Sequence, residues 1–295
     1  MKINLNKEIF KYKSEFDKYY KKLLLSHLSN NHLSKVIKYG ALNGGKRIRP
    51  FLIRIFSKIS KVSKKESLRL GAVVESIHSY SLIHDDLPSM DNDDFRRGKP
   101  SVHNKFNEAQ AILAGDALHD IAFEILSNKK THPNPFIRSK LVNTLSSKLG
   151  NKGLAGGQSL DLIYEQSKTN KSNIIKMYKM KTSSLFSFCC MSPFIISKKN
   201  KNELVFANKF GETFGLVFQI IDDYLDEIGN FKKLGKTPGK DKKQGKSTIL
   251  KHIDKKNLID FTNKIIEDFI DENQNYFSKW KNLESLLYSI LKRNN

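Results

Sequence analysis

In LRLGAVVESIHSYSLIHDD the residues Leu70, Val73, Val74, Ile77 and Tyr80, with His84 beyond them, recur at three- and four-residue spacing and so lie along one stripe of a helix. LVFANKFGETFGLVFQIIDDYLDEIG and NLIDFTNKIIEDFI carry the same period. Period-two alternation bounded by turn residues, the mark of a half-buried strand, is hard to find anywhere, so the pattern predicts an all-α fold. Breakers gather in NGGKRIRP, DLPSMDNDDFRRGKP, KKTHPNPF, GNKGLAGG and LGKTPGKDKKQGK, which are expected as loops between long helices. Nothing resembling a linker divides the 295 residues, and one domain over 1–295 is expected. Hydrophobic residues at 39% and only seven prolines allow a core and argue against disorder.

Charge and cysteine use narrow the function. The opening stretch MKINLNKEIFKYKSEFDKYYKK interleaves charge with apolar positions, and SLFSFCCMSPFII is too short and interrupted to span a bilayer. No integral membrane association and a cytoplasmic location are the expectations. Cys189 and Cys190 are adjacent, which excludes a disulfide framework and a cysteine-based zinc site. A net charge of +22 invites a nucleic-acid partner. The lysines are spread along the chain without an arginine-rich block, so no nucleic acid is expected, and a solvated basic surface that attracts anionic substrates accounts for the charge. A basic nucleic-acid-binding protein stays as the alternative of a different class.

Two acid clusters carry the chemistry. In DDYLD, Asp222 and Asp226 are four positions apart, about 40° around a helix, and point to one side, with Asp223 next to them. Such carboxylates repel one another unless a cation compensates, and oxygen-only ligands suit magnesium, which completes its shell with water and substrate phosphate. Taken alone, DDYLD reads equally well as an acidic helix end in solvent. In HDDLPSMD, Asp85 and Asp91 are six apart and would point about 120° away from each other on a regular helix. Pro88 lacks an N–H, collides with the carbonyl of residue 84 and pushes Leu87 out of helical torsions, so the helix must bend or end there. A bulge at that point can bring Asp91 back over Asp85. Two acidic pads facing each other would hold several magnesium ions around a polyanion.

Basic groups lie close by in sequence or at a glycine turn. Arg96 and Arg97 follow the first cluster in DDFRRGKP, and NGGKRIRP supplies Lys46, Arg47 and Arg49. Arginine forks bind phosphate bidentately and lysine adds a point charge, so a second diphosphate can bind here without metal. The bland alternative is a basic turn before a helix. Two polyanion sites of different chemistry suggest a reaction between two diphosphates.

The motifs GGKRIRP, SYSLIHDDLPSMDNDDFRRGKPSVH, AGDAL, GGQSLDL, KMKTSSLF, FGLVFQIIDDYLD, LGKTPGKD and GKST, in this order from about Tyr39 to Thr248, resemble the trans-isoprenyl diphosphate synthases, most closely the bacterial farnesyl diphosphate synthases. The resemblance implies an isoprenoid synthase fold, a bundle of helices around a central cavity, and a likeness to homodimers. It implies that Asp85, Asp86, Asp91, Asp222, Asp223 and Asp226 bind three magnesium ions on an allylic diphosphate. Arg96, Lys181 and Lys236 would touch that diphosphate, and Lys46, Arg49, His78 and Arg97 would hold isopentenyl diphosphate. Thr182 and Gln219 would lie beside the allylic carbons. The product implied is farnesyl diphosphate, with geranylgeranyl or longer products as the alternative.

Tyr80, five residues before Asp85 and so about 7.5 Å down the helix axis, would floor the cavity for the growing chain, with Ser81 beside it. The other reading of Tyr80 is an ordinary core aromatic. GKST at Gly245–Thr248 is no Walker loop, because Gly239 precedes Gly245 by one residue too many and no strand leads into it. Lys246 is instead a candidate diphosphate contact. His84 is a candidate hydrogen-bonding neighbour of the acids. Phe188, Phe214 and Phe218 suit either a tail pocket or the core, and Gly211 and Gly215 either close helix approach or cavity space.

Overall fold

The computed structural model describes residues 5–165, 167–228 and 246–292. Helix follows helix: α1 (Leu5–Leu25), α2 (His32–Ala41), α3 (Ile48–Ser60), α4 (Lys64–Asp85), the short α5 (Val102–Lys105), α6 (Glu108–Ser127) and α7 (Pro135–Leu149) form the first half. The second half has α8 (Leu154–Tyr164), α9 (Lys171–Tyr178), a π-helical turn at Lys179–Ser183, α10 (Ser184–Ile196), α11 (Lys201–Ile228), α12 (Lys255–Glu272), α13 (Gln274–Lys279) and α14 (Asn282–Leu291). The all-α expectation holds. Among the described residues the single departure is a two-residue ladder, Phe95 against Pro100 and Arg96 against Lys99, too short to leave a period-two signature.

α4 is the axis of the first half. Ser63 and Glu66 form a reciprocal capping box at its start, worth about 1 kcal/mol. Leu70, Val73, Val74 and Ile77 are fully buried, as their stripe requires. α11 is the axis of the second half, and Phe206, Phe210 and Phe214 stack along it against Phe56, Phe269 and Phe277. By length and composition α11 is apolar enough to cross a membrane, yet 61% of its apolar window is buried by other helices, as in a core helix.

Glycines set how closely the second half packs. A Cβ on Gly211 would sit 2.4 Å from the Ser187 Cα, and one on Gly215 would sit 2.5 Å from the Ser183 Cα. Both positions therefore serve close helix approach, pressing α11 onto α10 and the π turn. Gly157 on α8 does the same from the other side, where a Cβ would lie 2.1 Å from the Lys181 amide nitrogen. The turn carrying Lys181 and Thr182 is thus wedged between two helices.

Candidate active site

α4 ends at Asp85, and Leu87 N–H turns back to the His84 carbonyl at 3.1 Å in place of the bond Pro88 cannot donate. The chain then curls on itself. Asp91 N–H reaches the Asp85 carbonyl at 2.8 Å, and Asp93 N–H reaches that of Asp86 at 3.1 Å. Asp91 is thereby returned to Asp85, and both side chains line one cavity of about 450 Å³. The end of α11 lines the same cavity with Asp222, Asp223 and Asp226.

These acids are electrostatically strained and braced. Burial pushes the Asp85 carboxyl up to about 6, with Lys181 opposing and Asp91 adding to the rise. Burial also raises Asp86 to about 6 against the pull of Arg96. For Asp91 burial acts upward too, but Lys181 and Lys246 outweigh it and hold the group below its usual value. Lys246 Nζ stands 2.9 Å from Asp91 Oδ1, so this lysine does line the site. Asp86 is not among the cavity-lining residues: 2% exposed, it accepts from Arg96 Nε at 2.8 Å and from Arg96 Nη2.

The basic end is built around a hairpin and a glycine turn. Arg97 and Gly98 both take positive φ, 56° and 75°, as the two turn residues between Arg96 and Lys99. Arg97 then donates to the Gly44 carbonyl, its guanidinium packed where a Cβ on Gly45 would come within 2.9 Å. Arg49 Nη1 lies 3.2 Å from His78 Nε2. An arginine can only donate, so Nε2 accepts and the His78 proton sits on Nδ1. Burial first, and then Arg49, Arg97, Arg47 and Arg96, hold the His78 pKa well below its ordinary value, which keeps the ring neutral. Lys46, Arg49, His78 and Arg97 line the cavity together. Arg47, grouped with them by sequence, is only 4% exposed and is taken by Asp17, at 2.7 Å, and by Glu75. Its side chain is a brace for the turn.

Between the acidic and basic ends lies the π turn. Lys181 Nζ contacts Asp161 Oδ2 at 2.5 Å; burial would lower its pKa, but Asp161, Asp85 and Asp91 outweigh this and raise it. Thr182 Oγ1 donates to Gln219 Oε1 at 2.7 Å, and Gln219 Nε2 donates to Asp223 Oδ1 at 2.8 Å. Tyr178 donates its hydroxyl to Asp223 Oδ2 and accepts from Ile249 N–H at 2.9 Å. Asp161, Glu75 and Tyr178 were not singled out by sequence. Asp161 sits inside the recognised GGQSLDL motif, which was the available signal, whereas Tyr178 reads as core.

Other expectations sort as follows. Ser81 and Phe218 line the cavity, while Tyr80, Phe188 and Phe214 are not among its lining residues. Tyr80 packs edge-on against His84 and His119, with centroids at 5.1 and 5.4 Å. His84 bonds the Ile112 carbonyl at 3.0 Å, tying α4 to α6 rather than serving the acid cluster. Lys236 lies outside the described residues. Among the described residues no three acidic, histidine or cysteine side chains form a ready-made metal cage. Carboxylates of two clusters lining one cavity fit a hard cation that shares its shell with phosphate and water.

The family model described as polyprenyl synthetase matches residues 30–283. The chain belongs to this family. Among relatives, it is 37% identical over 272 residues to a farnesyl diphosphate synthase of Micrococcus luteus, covering 91% of each chain. It is 42% identical over 221 residues to the farnesyl diphosphate synthase of Escherichia coli strain K12, covering 74% of each. A crystal structure of a geranyltransferase from Helicobacter pylori, complexed with magnesium and isoprenyl diphosphate, superposes on this polyprenyl synthetase with a TM-score of 0.84 at 28% identity, covering 99% of this chain and 98% of that one. The isoprenoid synthase architecture follows from that likeness.

Proposed function

We propose that this polyprenyl synthetase joins isopentenyl diphosphate to dimethylallyl or geranyl diphosphate and releases (2E,6E)-farnesyl diphosphate. It is a prenyltransferase, working as one domain over residues 1–295. The observation that carries this is the pairing, in one cavity, of two carboxylate clusters with a separate arginine and neutral-histidine site. One end suits a metal-bound diphosphate, the other a diphosphate held by guanidinium groups.

Asp85, Asp91, Asp222 and Asp226 would hold magnesium, three ions in all, while Asp86, turned to Arg96, and Asp223, turned to Tyr178 and Gln219, brace the two clusters. Magnesium supplies, when bound, positive charge for the departing diphosphate. Arg96, Lys181, Lys236 and Lys246 add cationic donors to that leaving group, whose charge grows as the allylic carbon–oxygen bond breaks and its electron pair goes to oxygen. Thr182 and Gln219 present oxygens to the carbocation left behind. Lys46, Arg49, Arg97 and His78 hold isopentenyl diphosphate so that its double bond attacks that carbon. A proton then leaves the adjacent carbon for the released diphosphate, which regenerates a double bond and needs no protein nucleophile.

A homodimer in the cytoplasm completes the assignment; for the dimer, the support is the apolar surface that α6 leaves at Ile112 and Leu113, 44% and 48% exposed. The test is incubation with radiolabelled isopentenyl diphosphate, each starter and magnesium, followed by chromatography. A C15 product is expected. A main product of C20 or longer would transfer the chain to the longer-product synthases, and no labelled product from any starter would end the proposal.

A further inference from the structure

The hydrogen bonds behind Thr182 and Gln219 run in one direction only. Tyr178 oxygen accepts from the Ile249 amide at 2.9 Å, so its single proton goes to Asp223. A carboxylate accepts and cannot donate. The amide of Gln219, 2.8 Å away, must therefore turn its Nε2 toward Asp223 and its Oε1 toward Thr182. Thr182 in turn spends its only proton on Gln219 Oε1, across 2.7 Å. What the Thr182 hydroxyl and the Gln219 carbonyl leave for the cavity they line is oxygen lone pairs, the Gln219 amide nitrogen being turned toward Asp223.

The reverse arrangement is excluded by chemistry. A flipped Gln219 would set its carbonyl against the Asp223 carboxylate and present N–H groups beside Thr182. Those donors would oppose a developing positive charge in a buried site, where the sign of a nearby dipole matters most. Asp223 is 6% exposed and Tyr178 is 3% exposed, so the pair that sets this direction is shielded from water.

We propose that Asp223 and Tyr178 are positioning residues: they fix the amide orientation of Gln219, and through it the hydroxyl of Thr182, so that lone pairs face the allylic carbon. This rests on the prenyl transfer proposed above. It gives Asp223 a task distinct from that of Asp222 and Asp226, and gives the phenol of Tyr178 a part in the reaction.

The test compares two inert allylic diphosphates in magnesium buffer. One carries an ammonium nitrogen in place of the tertiary carbon and so mimics the cation; the other is a thiolodiphosphate, neutral at that carbon. In Asp223→Ala the Kd of the ammonium compound should rise about tenfold, the scale of one hydrogen bond to a charged group, while that of the thiolodiphosphate stays within about twofold. Tyr178→Phe, which removes one hydroxyl and keeps the ring, should shift the ammonium compound in the same direction by a few fold, and it serves if Asp223→Ala does not fold. Equal weakening of both compounds would make Asp223 a metal or diphosphate ligand and overturn the proposal. Unchanged binding of both would overturn it as well. In either case tight thiolodiphosphate binding by the unaltered protein leaves the prenyl-transfer assignment standing, whereas failure of that protein to bind either compound removes both.

Discussion

The two aspartate clusters face one cavity and reach it by opposite means. On α11 the regular four-residue spacing already puts Asp222 and Asp226 on one side, and the backbone needs no irregularity. At the end of α4 the spacing is wrong, and convergence is obtained by ending the helix and closing the chain through the Asp91 N–H to Asp85 carbonyl bond at 2.8 Å. The lesson is that carboxylate placement can be written either in helical period or in a break of it. Among the described residues the first cluster carries Arg96 on Asp86 and Lys246 on Asp91, and in the second Asp223 accepts from Tyr178 and Gln219.

The most severe way to break the comparison is to remove one acid from each cluster. Asp85→Ala and Asp222→Ala should each lower turnover by about a hundredfold or more, the scale of losing a group that stabilises charge in the transition state. Circular dichroism and melting temperature should stay close to those of the parent. Near-normal turnover in either variant would remove that cluster from the metal site.

The basic end should answer differently. Arg49→Ala is expected to raise KM for isopentenyl diphosphate by about tenfold or more, since a charge-assisted contact to phosphate is lost, with the allylic KM nearly unchanged. Equal rises in both constants would mean that the two anion sites are not separate.

pH should separate the clusters with a smaller effect. Asp85 and Asp86 are both raised to about 6 in the metal-free protein, so substrate-free manganese binding should weaken several-fold between pH 7.5 and 5.5 as these groups take up protons. The stability sign is the reverse. A carboxyl with a raised pKa in the fold contributes stability that is present at low pH and is lost as pH rises through about 6. His78, lowered in the fold, acts oppositely in a neighbouring window, its contribution being lost as pH falls. The difference in melting temperature between the parent and Asp85→Asn isolates the carboxyl: the parent should lose ground to the variant as pH rises from 5 to 7, and added magnesium should close the gap. A constant difference across that range would refute the raised pKa.

Much of this was legible in the sequence, and the parts that were not share a cause. Helical period gave the class, and Pro88 gave the break that returns Asp91, because both are local properties of the chain. Composition cannot tell which of the three neighbouring cations in NGGKRIRP turns inward; Arg47 also borders the cavity, but a left-handed φ of 56° and the partners Asp17 and Glu75 commit its guanidinium. Asp161 and Tyr178 act through partners on other elements, Lys181 and Asp223, and a lone acid or phenol on a helical stripe does not announce a partner far along the chain. Asp86 and Asp91 are equivalent in the motif and become different only once Arg96 folds back on one of them.

Tyr80 sharpens the comparison by an asymmetry below the clusters. Five residues before Asp222 stands Val217, fully buried in the core, whereas five before Asp85 stands a half-buried ring lodged against His84 and His119. That ring does not itself line the cavity, but its neighbours Ser81 and Leu82 do. It therefore acts as backing for the cavity wall, and removing it opens space toward His119 and Phe123, whose rings pack tilted with centroids at 4.9 Å. Tyr80→Ala should lengthen the product beyond C15 while the rate of each condensation changes by no more than about twofold, because no diphosphate contact is altered. A lowered melting temperature is expected from the lost packing. Chromatography of the products decides: chain elongation makes the wall below the first cluster the length gauge, and an unchanged distribution with only the melting temperature reduced would make Tyr80 a packing residue and move the gauge to Ser81, which already faces the cavity.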